Sequence, residues 1–289
     1  MSTPIDGRTA WNLVRDVPPG LAGKDSARVR HHPLPDVWLQ VHASGRWEAS
    51  SALTEEARDV VELYVPLQLR ADLVVAQLGQ SLDGRIATES GHSHYITGPA
   101  DIRRLHRLRA LVDAVVVGAG TVAADDPRLT VREVEGRSPV RVVLDPESRL
   151  DSGRHVVTDR SARTLVVRRS AQGVSEPSVR GDVLTMPVTT TGEFEPRALL
   201  HALRGQGCRR VLVEGGGVTV SRFLQAGAVD RLHVTVAPVL IGSGRPALTL
   251  APIASLDQAL RPPCRLFRLG EDVLFDLDLT QPPPPSGPS

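Results

Sequence analysis

Val and Leu recur in short dense runs along most of this chain, separated by longer stretches in which apolar residues return every three or four positions. The dense runs predict strands: "ADLVVAQLGQSL", "AVVVGAG", "VRVVLD", "TLVVRRS", "RRVLVEGGG", "DRLHVTVAPVLIG" and "DVLFDLDL". The spaced stretches predict helices: "GPADIRRLHRLRALV", "PRALLHALRGQG" and "TVSRFLQAGAV". Strands that alternate with helices and are apolar on both faces build a parallel sheet covered on both sides. The last strands follow one another with no helix between, which predicts an antiparallel edge. The fold class expected is α/β, with a mostly parallel central sheet, an antiparallel edge and flanking helices.

The pattern changes near residue 70. Trp11, Trp38 and Trp47 all lie before it, with the Pro-rich "DVPPGL" and "HHPLPD". There "DVWLQVHASGRWEAS" predicts a hairpin closed by Ser44-Gly45, and "LTEEARDVVELYV" a helix capped by Thr54 with acids in its first turn. Residues 1–70 therefore form an appendage with its own core, residues 71–279 the main domain, and residues 280–289, which are Pro-rich and polar, a disordered tail.

Composition narrows the function. With 34 basic and 33 acidic side chains, no field of one sign calls for nucleic acid or an anionic membrane. No apolar run reaches the ~20 residues of a membrane span, and the first residues hold no apolar signal core, so a cytoplasmic protein acting on small molecules is expected. Cys208 and Cys264 have no Cys or His at ligand spacing, so no metal site is expected. Lys24 is the only lysine. Schiff-base chemistry, a Walker A loop and a Tyr/Lys relay in the main domain are thereby excluded, since each needs an ammonium.

Two glycine clusters stand at strand ends. In "VVVGAGTVAADDPRLTVR" the glycines resemble a dinucleotide turn, with Asp145 on a later apolar segment, yet Pro127 ends any helix there after roughly two turns. In "VLVEGGGVTVSRFL" three glycines leave a strand and open a helix whose first N–H groups favour an anion. Together the loops predict a cofactor lying across the strand ends.

Five segments taken in order are similar to the reductase domain of riboflavin biosynthesis, a dihydrofolate-reductase-like family. They are "SLDGRIATESGHSHYITG", "LRALVDAVVVGAGTVAADDPRLTVR", "PVRVVLD", "LVEGGGVTVSRFL" and "VDRLHVTVAPVLIGSG". The resemblance implies an NADPH-dependent reduction of a ribosylaminopyrimidine 5′-phosphate to its ribitylamino form by a homodimer. It implies that Ser93, Arg109, Leu129, Arg132 and Glu214 contact substrate, with the two arginines on its phosphate and Glu214 on the pyrimidine. Asp125 falls beside the nicotinamide and the reacting sugar, and Thr121 on the cofactor. Gly79 and the aromatic Tyr95 fall near the nicotinamide. The stretch Gly216, Gly217, Val218, Thr219, Val220, Ser221 and Arg222 falls around the pyrophosphate. From position alone, Arg168 and Arg169 are the candidates for the NADPH 2′-phosphate.

The bland readings differ by residue. Asp126 fits a turn former, His92 and His94 a solvated loop, and His106 a structural role on the helix that carries Arg109. Tyr95 stands where many bacterial members have Trp, and Gln77 where many have Lys, which leaves the pyrimidine open between deaminated and undeaminated forms. No H-x-E or P-C-x-x-C pattern of a zinc deaminase occurs in the first 70 residues. Two rivals remain: a reductase of the same fold acting on another pyrimidine or a pterin, and a nucleotide-binding protein without catalysis.

Overall fold

The computed structural model describes residues 3–93, 96–171, 178–180 and 182–281. Tyr95 and His94 lie outside the described residues, as do residues 282–289 of the expected tail. The chain forms two compact units, Met1–Leu73 and Val74–Ser289.

The first unit contains α1 (Gly7–Arg15), β1 (Ser26–Arg30), β2 (Trp38–His42), β3 (Trp47–Ala49) and α2 (Glu55–Gln68). Thr54 caps α2, accepting from Ala57 N at 3.2 Å, and β2 and β3 form the expected hairpin. Two elements were not anticipated. Helix α1 is capped by Asp6, whose Oδ1 accepts from Thr9 N at 2.8 Å, and β1 pairs antiparallel with β2. Helix α2 also runs past Pro66, which removes one ladder bond without ending it. Gln68 then donates to the carbonyls of Val14, Arg15 and Val17 at 3.2, 3.1 and 3.1 Å, tying α2 to the last turn of α1 and the residues after it. Trp11 packs edge-on against Tyr64 with ring centroids 5.5 Å apart.

The second unit follows the order β4 (Leu73–Ser81), β5 (Arg85–Thr88), α3 (Pro99–Ala110), β6 (Ala114–Gly118), α4 (Ala119–Asp125), β7 (Val140–Leu144) and α5 (His155–Thr158). It continues with β8 (Thr164–Arg169), β9 (Ser178–Arg180), β10 (Val183–Met186), α6 (Pro196–Gly205), β11 (Arg210–Val213), α7 (Gly217–Gln225) and β12 (Arg231–Ala237). It ends with β13 (Gly244–Pro246), β14 (Cys264–Leu269) and β15 (Asp272–Asp278). Ten strands make one sheet in the order β14-β15-β12-β4-β11-β6-β7-β8-β10-β9. The pairs β12·β4, β11·β6, β6·β7, β7·β8 and β8·β10 are parallel, and β14·β15, β15·β12 and β10·β9 antiparallel. This is the α/β architecture with an antiparallel edge that the sequence predicts.

Val116, Val142, Leu165 and Val213 of the sheet and Leu199, Leu203, Val220 and Phe223 of α6 and α7 form one continuous core. Burial of this kind stabilises by roughly 25 cal/mol per Å² of apolar surface. No helix among the described residues is long and apolar enough to cross a membrane.

Candidate functional site

A cleft of about 910 Å³ opens in the second unit at the C-terminal ends of β6, β7 and β11, where a parallel sheet leaves its loops and helix starts facing one crevice. Both glycine loops line it, so the two signals separate in sequence meet in space. They are knitted together: Gly216 N donates to Thr121 Oγ1 at 3.0 Å, and a Cβ on Gly118 would stand 3.2 Å from Thr219 Oγ1.

The first loop runs into α4, which has seven residues and stops before Pro127, as expected. Asp126, at φ 42°, caps it and accepts from His155 N at 2.8 Å, so its carboxylate holds a turn and the neighbouring His155 keeps its pKa low. Asp125 lines the cleft, and Ser93 Oγ donates to its Oδ1 at 2.7 Å. Leu129 also lines the cleft and is buried at φ 56°, a left-handed conformation that costs a leucine roughly 1–2 kcal/mol. Asp145 lines the cleft wall, but its two oxygens accept from Arg149 N and Leu150 N at 2.8 and 3.0 Å. It closes its own loop and does not present the ribose-binding acid of a dinucleotide fold.

Glu214 follows β11 and is 4% exposed. Arg109, on the inner face of α3, grips it with two bonds of 2.7 Å from Nε and Nη2, while Nη1 donates to Thr130 O at 3.3 Å. The family resemblance places both on substrate, and the structure pairs them with each other at the cleft. Arg132 is exposed and outside the cleft lining, with Nη1 donating to Thr130 Oγ1 at 2.6 Å.

The second loop turns at Gly215, at φ 102°, and starts α7. Gly216, Gly217, Val218, Thr219 and Arg222 line the cleft, and Arg222 is paired with Glu193 from the loop before α6. Val220 and Ser221 face away: Val220 lies in the core, and Ser221 Oγ accepts from Thr249 N at 2.8 Å. Gly79, on β4 beside β11 in the sheet, also lines the cleft. Arg168 and Arg169, at the end of β8, are not cleft-lining, although Arg169 Nη2 reaches within 3.2 Å of where a Cβ on Gly192 would stand, and Gly192 does line the cleft.

Sequence reasoning missed Asp101, Thr97, Arg149, Glu193 and Arg245, all on the cleft wall. Asp101 reads as an ordinary first-turn acid. Thr97, Arg149 and Glu193 sit in loops and Arg245 in the three-residue β13, none with a periodicity to read, and only the strand order brings them to the crevice.

His106 is 2% exposed, and its Nδ1 accepts from Arg132 N at 2.9 Å. Burial, with the charges of Arg109 and Arg132 nearby, pushes its pKa from 6.5 down to about 4. The unfolded chain takes up this proton near pH 6.5 and the native state does not until about 4, so stability is lost as pH falls through that window. The loss amounts to about 2–3 kcal/mol. His106→Asn, which keeps an acceptor near Nδ1, is expected to flatten this acid limb in urea midpoints measured from pH 7 to 4; an unchanged limb contradicts the assignment.

Comparison with known proteins places this geometry. The RibD C-terminal domain family matches residues 72–273. The 2,5-diamino-6-ribosylamino-4(3H)-pyrimidinone 5′-phosphate reductase of Methanothermobacter thermautotrophicus is 38% identical over 212 residues, covering 70% of this chain and 96% of its own. The reductase of the same name from Archaeoglobus fulgidus is 40% identical over 190 residues, covering 61% and 84%. Among solved structures, a diaminohydroxyphosphoribosylaminopyrimidine deaminase/5-amino-6-(5-phosphoribosylamino)uracil reductase from Thermotoga maritima superposes with a TM-score of 0.60 at 26% identity. That match covers 78% of this chain and 61% of the Thermotoga chain.

Proposed function

The chain belongs to the RibD C-terminal domain family, and from that premise we propose that it reduces a ribosylaminopyrimidine 5′-phosphate to the ribitylamino form with NADPH, as an oxidoreductase of riboflavin biosynthesis. The undeaminated diaminopyrimidinone is the substrate we favour, because the two archaeal relatives at 38% and 40% identity carry that name. The observation that carries the reading is the meeting of both glycine loops, Asp125 and Glu214 in one cleft large enough for two ligands.

The residues fit a dinucleotide. The Gly215–Gly217 turn brings bare backbone to the start of α7, and Gly120 faces the cleft with no atom within 4 Å of where its Cβ would stand. N–H groups of the first turn of α7, Thr219 and Arg222 supply donors for a pyrophosphate. A nicotinamide held there would supply the hydride that C1′ of the opened sugar receives.

The protein has three tasks beside that step. Asp125 and Ser93, joined by their hydrogen bond, pass to the ring oxygen the proton it needs as the sugar opens, and solvent supplies the one proton that the reduction consumes overall. Glu214, immobilised by Arg109, orients the pyrimidine through a carboxylate that cannot turn. The buried Leu129 and Gly79 shape the walls. With Arg109 committed to Glu214, Arg132 remains the arginine we assign to the substrate phosphate, reached from the rim by its flexible stem.

Arg169, beside Gly192 at the cleft edge, and Arg168 serve the 2′-phosphate of NADPH on this reading. Arg169→Ala is expected to raise KM for NADPH about tenfold and leave KM for NADH nearly unchanged. Equal effects on both would remove Arg169 from this role. The reading as a whole is tested by following NADPH oxidation with the diaminopyrimidinone and uracil forms of the substrate. Turnover with the former above the latter is expected; NADPH binding without turnover of either form would favour another pyrimidine or a pterin.

A further inference from the structure

The wall beside Gly79 carries a carboxylate that no motif singles out. Asp101, in the first turn of α3, lines the cleft and is 4% exposed. Its Oδ1 accepts from Thr235 Oγ1 at 2.7 Å and from Arg104 Nε at 2.6 Å. Its Oδ2 lies 3.6 Å from where a Cβ on Gly79 would stand and makes no hydrogen bond within the described residues.

Gln77 lines the same wall. Its Oε1 accepts from Arg104 Nη2 at 2.9 Å, so the NH₂ end of the amide is the end left for the cleft. Arg104 is 1% exposed, and its Nη1 meets His233 Nδ1 at 3.2 Å. His233 is in turn 3.2 Å from Asp276. The register makes this row: Gln77 stands opposite His233 on β12, and His233 opposite Asp276 on β15. One buried guanidinium, itself held in a packed polar row, therefore fixes a hydrogen-bond acceptor and a donor on one wall.

We propose that Asp101 and Gln77 form a specificity element that reads an amide edge, an N–H donor adjacent to a C=O acceptor, on a ligand bound against Gly79. The inference rests on the reductase reading above and goes beyond it by naming a recognition pair. Two ligands of that reaction carry such an edge: the nicotinamide carboxamide and the pyrimidinone ring. An acceptor-only oxygen that is buried and already braced loses little freedom on binding, which concentrates its effect in discrimination between ligands that have the N–H and ligands that lack it.

The test compares full-length wild type with Asp101→Asn, in which Oδ1 still serves Arg104 and Thr235 while the cleft end turns from acceptor to donor. Each protein is assayed with NADPH and with its acetylpyridine analogue, which keeps the C=O and replaces NH₂ by methyl. Each is also assayed with the diaminopyrimidinone and uracil forms of the substrate. If the carboxamide is read, wild type prefers NADPH by about 10- to 100-fold in kcat/KM and Asp101→Asn narrows or reverses that preference. If the pyrimidine is read, the cofactor preference stands and Asp101→Asn lowers kcat/KM with both pyrimidine forms by a similar factor, because each carries N3–H beside C4=O.

Gln77→Glu keeps an acceptor for Arg104 and removes the donor; it is expected to change the same quantity, and serves where Asp101→Asn does not fold. An active wild type whose cofactor preference and whose kcat/KM with both pyrimidine forms are untouched by both substitutions overturns the inference and leaves the reductase reading standing. A wild type inactive with every pair overturns the reductase reading and this inference with it.

Discussion

Glu214→Ala is expected to cost about 3–5 kcal/mol of stability and to lower kcat/KM by about 100-fold or more. Glu214 and Arg109 are 4% and 7% exposed and share two bonds of 2.7 Å, so removing the carboxylate strands a guanidinium where water cannot reach it freely. The penalty is that of an uncompensated buried charge, which exceeds the net worth of the pair itself. Replacing both partners with apolar side chains, Glu214→Leu with Arg109→Met, should therefore cost less stability than either single change. Activity tells the two roles apart, since the double variant regains stability without regaining the oriented carboxylate. Urea unfolding with steady-state kinetics on the three proteins checks this. A Glu214→Ala protein within about 0.5 kcal/mol of wild type, the range of ordinary surface changes, would contradict the paired geometry.

Gly217→Ala is expected to be the more severe of the glycine substitutions, by more than about 3 kcal/mol. Alanine at the start of a helix normally gains up to about 1 kcal/mol over glycine. Here the added Cβ would stand 2.2 Å from Ala247 O, 2.8 Å from Ala247 C and 2.8 Å from Pro246 O. Those are backbone atoms, so no rotamer change relieves the overlap; the segment after β13 must move as a piece. Arg245 and Pro246 of β13, which leads into that segment, line the cleft, and cofactor binding should weaken together with stability. Gly120→Ala is the control, because nothing lies within 4 Å of its Cβ. It should keep or raise the melting temperature while raising KM, since the new methyl points into cleft space. Equal melting temperatures for the two variants would show that α7 and the segment after β13 are not packed as described.

Much of the fold was legible because the parallel strands are buried on both faces and read as dense Val/Leu runs. Several of the elements that escaped are ones where this signal fails. β14 interleaves arginines along the sheet edge, β5 and β13 are short and pair only with each other, and α1 is announced by a cap rather than by a long apolar repeat. The candidate site divides along a similar line. Ser93 with Asp125, and Thr121 with Gly216, belong to stretches quoted from the sequence, and the structure joins them by hydrogen bonds. The grip of Arg109 on Glu214 spans 105 residues, and that of Thr235 on Asp101 spans 134. Such contacts follow from the strand order and leave no local trace. Facing is equally hidden: Gly216–Arg222 reads as one continuous cradle, yet the helical period turns Val220 and Ser221 into the interior.

The most direct test of the central claim is the fate of the hydride. NADPH carrying deuterium at its transferring position, incubated with this protein and the diaminopyrimidinone 5′-phosphate substrate, is predicted to give a ribitylamino product with one deuterium at C1′. Oxidation of NADPH with no deuterium at C1′, or no oxidation with either pyrimidine form, would contradict the account.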